Sequence, residues 1–524
     1  MEKFYITTAI DYVNAPPHIG HAYEKIATDV IARHFRQRGW EVFFLTGVDE
    51  HGIKIEKTAA NQGLSPQEFC DLISAKFRDA WKLLDISYSR FIRTTEEEHK
   101  KVVQHIFKTL LDKGDIYKAA YTGLYCTGCE CFLSSRELAE NNLCPVHLSK
   151  PQEVQEENYF FKLSKYKDRI KEHILNNPEF LQPEYRVNEV LNQLKETEDI
   201  SVSRTKCSVN WGIPVPDDDN QIIYVWIDAL SNYLTGIGYL NNEELYKKFW
   251  SPDVHIIGKD ILKFHSIYWI AILMAMELPL PKTIYAHGWI IVNESKMSKT
   301  LGNVISPVDI MNEYNLSNAD PVRYFLMTNS PFWKDANYSD EDFKNKVNAD
   351  LANNLGNLLN RSLSMLVKYF DGYIISEAIT DFDNSELAKM SDLTQKTVLE
   401  AFDKYNIFEA AAAILNLTDR ANKHINESAP WSLAKNSETK IRCAQVLYDV
   451  LETLRQISIM IYPYIPNISA SIFQQLSIQE SIAESKWSDL KWGGLKSGKI
   501  ISGEDIKPVF LRLDFELADD KKKK

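Results

Sequence analysis

The apolar positions of the first fifty residues change their period twice. Phe4 to Ile10 is a nearly unbroken apolar and β-branched run, which predicts a strand buried on both faces. Asn14-Ala15-Pro16-Pro17 interrupts it. Ile19, Tyr23, Ile26 and Val30, with Ala27, Ile31 and Phe35, then recur at three- and four-residue intervals. That spacing predicts a helix, closed near Gly39. Val42-Phe43-Phe44-Leu45 predicts a second buried strand, ending in Gly47-Val48-Asp49-Glu50-His51-Gly52. Strand, helix, strand is a unit whose strands lie parallel. Ligands of open parallel sheets sit beyond the carboxyl ends of the strands. His18, His21 and Asp49 all fall there.

Farther along, residues 119–225 break the α/β rhythm and read as an insertion with short strand-like runs. The rhythm resumes near Ile222-Ile223-Tyr224-Val225-Trp226 and continues through His255–Asp260 and Thr283–His287. From about 345 the pattern is helical, with Leu351, Leu355, Leu358, Leu359, Ser362 and Leu366 on one face. The fold class expected is α/β, a Rossmann-type parallel-sheet domain interrupted by an insertion and followed by an α-helical bundle. The expected segments are 1–118, 119–225, 226–345, 346–510 and a tail at 511–524.

Composition narrows the choices. At 524 residues and 44% hydrophobic content the chain can bury several cores. No apolar run approaches the roughly 18–20 residues that span a bilayer. Met1-Glu2-Lys3 leads directly into the first strand, without a signal or transit pattern. A soluble, cytoplasmic protein with no membrane partner is expected. The net charge of −12 excludes a uniformly basic surface but not local phosphate-binding patches. Cysteines number seven, and those at 126, 129, 131 and 144 cluster, which favours a metal site over a disulfide framework.

Three motifs carry chemistry. His18-Ile19-Gly20-His21 opens a helix after a strand. A helix N-terminus offers free N–H groups and partial positive charge to phosphate, Gly20 permits close approach, and two imidazoles can donate to developing charge. Lys296-Met297-Ser298-Lys299-Thr300 would clamp the β- and γ-phosphates as pyrophosphate leaves. Alone it reads as a solvated basic loop. Paired with the first motif it suggests two halves of one ATP site, where a carboxylate attacks the α-phosphate. The third motif is Cys126-x2-Cys129 followed by Cys144-x2-His147, two knuckles suited to one tetrahedral Zn²⁺. Four protein ligands leave no open position, so the ion would be structural; Cys131 is spare. Gly493-x4-Gly498-Lys499-Ile500 resembles a phosphate loop but lacks the Ser or Thr that binds magnesium and follows no buried strand.

The two ATP motifs, their order and the knuckle between them resemble the class I aminoacyl-tRNA synthetases. The details are most similar to the methionyl-tRNA synthetase family of the bacterial single-knuckle type. The likeness runs over about 500 residues and includes Thr46–Gly52, Trp211–Pro214, Tyr224–Leu230, Gly258–Ile261 and Ala429-Pro430-Trp431. It implies a ligase with three substrates, ATP with Mg²⁺, L-methionine and tRNA-Met, both initiator and elongator. His18, Gly20, His21, Gly258 and Asp260 would hold ATP, and Lys296 and Lys299 would stabilise the transition state. Asp49 would receive the substrate ammonium. Ile10, Tyr12, Trp226, Ala229, Leu230, Tyr233, Phe264, His265 and Trp269 would line the side-chain pocket. Asn357, Arg361 and Trp431 would read the CAU anticodon.

The residue types agree with these roles. A thioether is polarisable and favours aromatic contacts. Asn357 and Arg361, four apart, share one helix face, and an exposed indole at 431 can stack an unpaired base. The competing reading of Trp226, Tyr233, Trp269 and Trp431 is core packing. Two positions depart from the family pattern, Thr300 for the commoner Ser, and Asp11 where an aromatic or apolar residue is usual. Asp11 either perturbs the pocket or faces solvent. The insertion is too small for an editing domain, and a monomer is expected. Two alternatives stand beside this reading, a cysteinyl-tRNA synthetase-like enzyme and a non-catalytic tRNA-binding relative.

Overall fold

The structure, a computed structural model, describes residues 2–126, 131–133, 138–146, 148–293, 295–296 and 304–513. A parallel sheet of seven strands organises the first 290 residues. The strands β1 (Lys3–Thr8), β3 (Glu41–Asp49) and β4 (Arg90–Arg93) run side by side. On the other edge of β1 lie Val254–Gly258, Thr283–His287 and Leu181–Gln182 in turn. A two-residue strand β2 (Asp11–Tyr12) pairs with the end of β3 and sets Tyr12 opposite Asp49. The chain leaves β1 in both directions, so its carboxyl end is a topological switch point.

The expected strand over Phe4–Ile10 divides. It ends at Thr8, and after Ala9 and Ile10 the chain pairs again at Asp11. The helix α1 (Ile19–Gln37) follows as expected, and Gly39 closes it with φ near +85°. The buried apolar run Val42–Leu45 lies within a longer strand, Glu41–Asp49.

The insertion differs from its expected outline in two ways. Ile116–Cys126, Cys131–Leu133, Gln152–Phe161 and Ile200–Ser201 form an antiparallel sheet of their own. Leu181–Gln182, inside the insertion, nevertheless supplies the edge strand of the main sheet. Nor is Ile222–Trp226 a strand of that sheet. Asp218–Ile223 pairs antiparallel with Ser203–Thr205, and Val225–Thr235 is a helix. An apolar run of five cannot distinguish these.

Helices dominate from Asp340 onward. The face predicted from Leu351 to Leu366 is buried throughout, with Asn348–Gly356 wound in wide π-type turns before the α-helix Asn357–Phe370. Helices Glu386–Asp403, Ile407–Ser428 and Lys440–Ile461 complete the bundle. One apolar core runs from the α1 side of the sheet into this bundle, and a second fills the opposite side.

Helix α1 is itself bonded to the bundle. Arg33 donates to the Tyr462 hydroxyl at 2.9 Å, Gln37 to the Ile459 carbonyl at 2.8 Å, and Arg38 to Asp403 at 2.5 Å. His34 stacks on Phe402 with ring centroids 3.8 Å apart. Buried Arg323 joins Asp29 of α1 at 2.7 Å to the carbonyls of Pro463 and Tyr464.

The rejected glycine-rich loop has a different occupant. The backbone N–H groups of Gly493, Gly494 and Leu495 all donate to the buried Glu452 carboxylate, at 2.8–3.1 Å. An internal anion fills the nest that a phosphate loop would offer.

Candidate active site

Histidine itself caps α1. His18 has extended backbone angles, and its Nδ1 accepts from the Gly20 N–H at 3.1 Å. His21 Nδ1 accepts in return from the His18 N–H at 3.2 Å. This is the reciprocal geometry of a capping box built from imidazoles. Because each Nδ1 is an acceptor, the neutral ring carries its proton on Nε2. The rings stack with centroids 3.8 Å apart. Burial, then the neighbouring His18 and Lys25, holds His21 well below the usual imidazole range, so it is uncharged. The sequence thus presents neutral N–H donors at the positive end of a helix dipole, a site suited to phosphate.

These residues border a cavity of about 340 Å³ at the switch point of the sheet. His18, Gly20 and His21 form one wall, Ala9 to Tyr12 a second, and Gly258, Asp260 and Ile261 a third. A Cβ at Gly258 would lie 2.7 Å from Asp260 Oδ1, so a side chain there would displace that carboxylate. That carboxylate accepts from Trp289 Nε1 at 3.0 Å. Of the lysine motif, Lys296 is described in its backbone, opposite Ile291 in a hairpin whose Ile290 lines the cavity. Lys299 lies outside the described residues.

Sequence reasoning missed the floor of this cavity. Lys25, one turn beyond His21, is fully buried and donates to Asp11 at 2.7 Å, Glu24 at 2.9 Å and the Ala9 carbonyl at 3.0 Å. Asp11 does not face solvent; it is 6% exposed. Burial pushes its carboxyl up to about 7, against the attraction of Lys25. Burial would raise Glu24 as well, but Lys25 and His287 hold it below the usual range. Glu24 Oε2 meets His287 Nε2 at 3.0 Å. The available signal was a lysine four residues after a motif histidine, on a helix whose apolar rows leave it little exposed surface.

Beside the cavity stands a packed aromatic cluster. Helix Val225–Thr235 presents Trp226, Ala229, Leu230 and Tyr233 at i, i+3, i+4 and i+7, one face. The segment Phe264–Trp269, wound in π-type turns, brings Phe264, His265 and Trp269 against it. Trp226 stacks on Phe264 at 3.6 Å. The Tyr233 hydroxyl meets His265 Nε2 at 2.7 Å, and His265 Nδ1 lies 3.0 Å from the Ile261 carbonyl. With Nδ1 donating to that carbonyl, Nε2 accepts from the phenol. Burial lowers His265 to about 4, so the ring is neutral at physiological pH. Trp269 Nε1 donates to His255 Nε2 at 3.3 Å, and His255 Nδ1 reaches Thr7 Oγ1 at 2.6 Å. Burial keeps His255 uncharged too. This cluster is therefore apolar and polarisable; the Tyr233 phenol, the His265 and His255 imidazoles and the Trp269 indole are paired, while the buried Trp226 Nε1 has no hydrogen-bond partner among the described residues.

Ile10 packs on the same core as Trp226, while Tyr12 packs on the other, so the exit of β1 lies where the two meet. Asp49, buried at the end of β3, is level with Tyr12. Below them His51 Nδ1 and His99 Nε2 bond to the two oxygens of Asp228 at 2.6 and 2.8 Å.

The remaining candidates lie apart. Cys126 and Cys144 are buried together with Leu138 against them. Cys129 and His147 fall outside the described residues. In the bundle, Asn357 is exposed. Arg361 donates to Asn426 at 3.0 Å, five residues before Trp431. Ala429 has φ near +44°, which turns the chain into a short helix begun by Pro430 and leaves Trp431 39% exposed. The core-packing alternative for Trp431 does not hold.

Known proteins share this architecture. The family described as class I tRNA synthetases (M) matches residues 4–363, and the anticodon-binding domain of tRNA ligases matches 385–506. A methionine–tRNA ligase of Clostridium perfringens is 49% identical over 487 residues, 92% of this chain and 75% of that protein. One from Thermotoga maritima is 43% identical, over 91% and 76%. Among solved structures, the Mycobacterium tuberculosis methionyl-tRNA synthetase in complex with methionyl-adenylate superposes with a TM-score of 0.91 at 37% identity, covering 98% of this chain and all of that one. Its apo form gives 0.84 at 35% identity, covering 98% and 99%. The chain belongs to the methionyl family of class I tRNA synthetases.

Proposed function

We propose that the protein joins L-methionine to tRNA-Met at the expense of ATP, through a methionyl-adenylate. The observation that carries this reading is the junction of two sites at one switch point. A cavity walled by neutral imidazole donors and Asp260 adjoins a packed aromatic cluster without net charge. The methionine carboxylate attacks the α-phosphorus in line, an adenylate forms and pyrophosphate leaves. The terminal adenosine of the tRNA then takes the methionyl group, first on its 2′-hydroxyl, releasing AMP. No protein nucleophile is needed; catalysis is positioning and electrostatics.

In this reading His18, Gly20 and His21 hold the phosphates, Gly258 and Asp260 the nucleoside, and Asp49 the ammonium. Lys296 and Lys299 stabilise charge on the departing pyrophosphate, and Mg²⁺ enters with ATP. Ile10, Tyr12, Trp226, Ala229, Leu230, Tyr233, Phe264, His265 and Trp269 enclose the thioether. Asn357, Arg361 and Trp431 meet the anticodon, the exposure of Trp431 supporting a stacking role. Cys126, Cys129, Cys144 and His147 hold one structural Zn²⁺; the joint burial of Cys126 and Cys144 fits that donor set. The segments 1–118, 119–225, 226–345, 346–510 and 511–524 carry these tasks in a cytoplasmic monomer. Among the described residues no helix is long and apolar enough to cross a membrane.

ATP–pyrophosphate exchange with each of the twenty amino acids tests the reading. Exchange driven by methionine is expected; exchange driven by another amino acid, or none, refutes it. Curated relatives at 43–49% identity are named methionine–tRNA ligases, which gives the cysteinyl alternative no support.

A further inference from the structure

Lys25 joins two walls of the cavity, the Ala9–Tyr12 segment and helix α1. Its ammonium has three N–H donors, and three acceptors use them all: the Ala9 carbonyl, Asp11 Oδ1 and Glu24 Oε1. Two of these belong to the segment that leaves β1 and carries Ile10 and Tyr12. Glu24, on α1 itself, extends the chain of bonds to His287 at the end of a neighbouring strand. The same helix presents His21 one turn earlier, with His18 at its N-cap. A buried ion pair is a poor device for stability alone, since well-packed apolar side chains of similar volume do as well or better. This one lies under the reaction site and ties the amino-acid wall to the phosphate wall.

We propose that Asp11 and Lys25 are positioning residues for methionine activation: their bond sets the spacing between the Ala9–Tyr12 segment and the helix N-terminus that receives the phosphates. The inference rests on the substrate reading above. The attacking carboxylate is held from the β1 exit and the α-phosphate from the cap of α1. A strut between them acts on how the two reactants meet rather than on how tightly either binds. A misplacement of about 1 Å can cost on the order of 100-fold in rate.

The test is steady-state ATP–pyrophosphate exchange by the full chain carrying Asp11→Ala or Asp11→Asn. In Asp11→Ala, Lys25 keeps Glu24 and the Ala9 carbonyl as partners, so folding survives while the strut is lost. The expected result is a fall in kcat of about 10- to 100-fold, with KM for methionine and for ATP each changed less than about 3-fold. Asp11→Asn keeps an Oδ1 acceptor at the same place and is expected to restore kcat to within about 3-fold of wild type. A kcat unchanged in Asp11→Ala overturns the proposal. So does a raised KM for methionine at unchanged kcat, which would mean binding rather than positioning. Should Asp11→Ala fail to fold, Asp11→Asn decides alone: a kcat loss in it as large as 10-fold overturns the tether. Wild type measured alongside separates the two levels. A wild type without methionine-driven exchange overturns the substrate reading and this inference with it, whereas an active wild type with unaffected variants overturns the inference alone.

Discussion

Substituting His18 with Asn and with Ala separates two tasks that the structure gives one ring. His18 Nδ1 caps α1 by accepting from the Gly20 N–H, and its Nε2–H borders the phosphate cavity. Asparagine is among the best N-cap residues, so His18→Asn keeps the cap, while His18→Ala loses about 1 kcal/mol of stability. Neither retains the imidazole donor. Removing one preorganised donor to transition-state charge costs about 2.7–4 kcal/mol, or about 10²–10³ in kcat. Both variants should therefore lose about 100- to 1,000-fold in kcat of pyrophosphate exchange, and only the Ala variant should shift in urea denaturation. KM for ATP should move far less than kcat, because the donor acts on charge that grows as the bond to pyrophosphate breaks. Retention of kcat within about 3-fold in His18→Asn would refute the reasoning, leaving the ring as a cap and nothing more. An ATP KM raised as much as kcat falls would refute it differently, by showing uniform binding.

The aromatic cluster gives a second expectation. Tyr233→Phe leaves His265 Nε2 buried without its donor, worth about 1–3 kcal/mol, so kcat/KM for methionine should fall about 5- to 150-fold with ATP binding intact; an unchanged value would sink the role of the pair. His265 titrates near 4 in the fold against about 6.5 unfolded, so between these values the unfolded chain binds more protons and this group's share of stability declines as pH falls. KM for methionine should accordingly stay flat from pH 8 to 5, and a break near 6.5 would contradict a neutral buried ring. Trp431→Ala should leave pyrophosphate exchange untouched and weaken tRNA charging by about 5- to 150-fold, the worth of roughly 1–3 kcal/mol of base stacking; charging at the wild-type rate would remove Trp431 from the anticodon. Metal analysis should find one zinc per chain, lost in Cys144→Ala; zinc retained in that variant would break the ligand set.

The parts of this molecule that could be read from sequence were those with a single local cause. The helix after Pro16-Pro17 follows from its spacing, and the buried leucine face from 351 to 366 does too. The histidine motif lies at a helix N-terminus beside the cavity, as its place between a strand and a helix led one to expect. Other features depend on partners far apart in sequence. Leu181–Gln182 joins the main sheet by pairing with Ile284 and Tyr285, about a hundred residues later. Ile222 and Ile223 have the apolar content of a core strand yet pair with the short strands of the insertion, and the chain turns into a helix only at Val225. Asp11 looked out of place only because its partner was unknown. Fourteen residues away, Lys25 is drawn under the strand end by the packing of α1 on the sheet. The His51–Asp228–His99 contact likewise gathers side chains from three separate elements, which no spacing rule anticipates.

Helix α1 bears on how such a protein can be divided or recombined. Its first turn borders the cavity, and its last turn and a half is bonded to the bundle through Arg33, His34, Gln37 and the C-cap Arg38. A chain cut near residue 345 would strip those turns, leaving Asp29 and Arg323 without the carbonyls of Pro463 and Tyr464 to complete their network. The charging chemistry and the anticodon-facing half are consequently not interchangeable modules. A chimera that exchanges the bundle for a relative's must inherit the outward face of α1 with it, and any drift in that face is felt at the cavity end of the same rod.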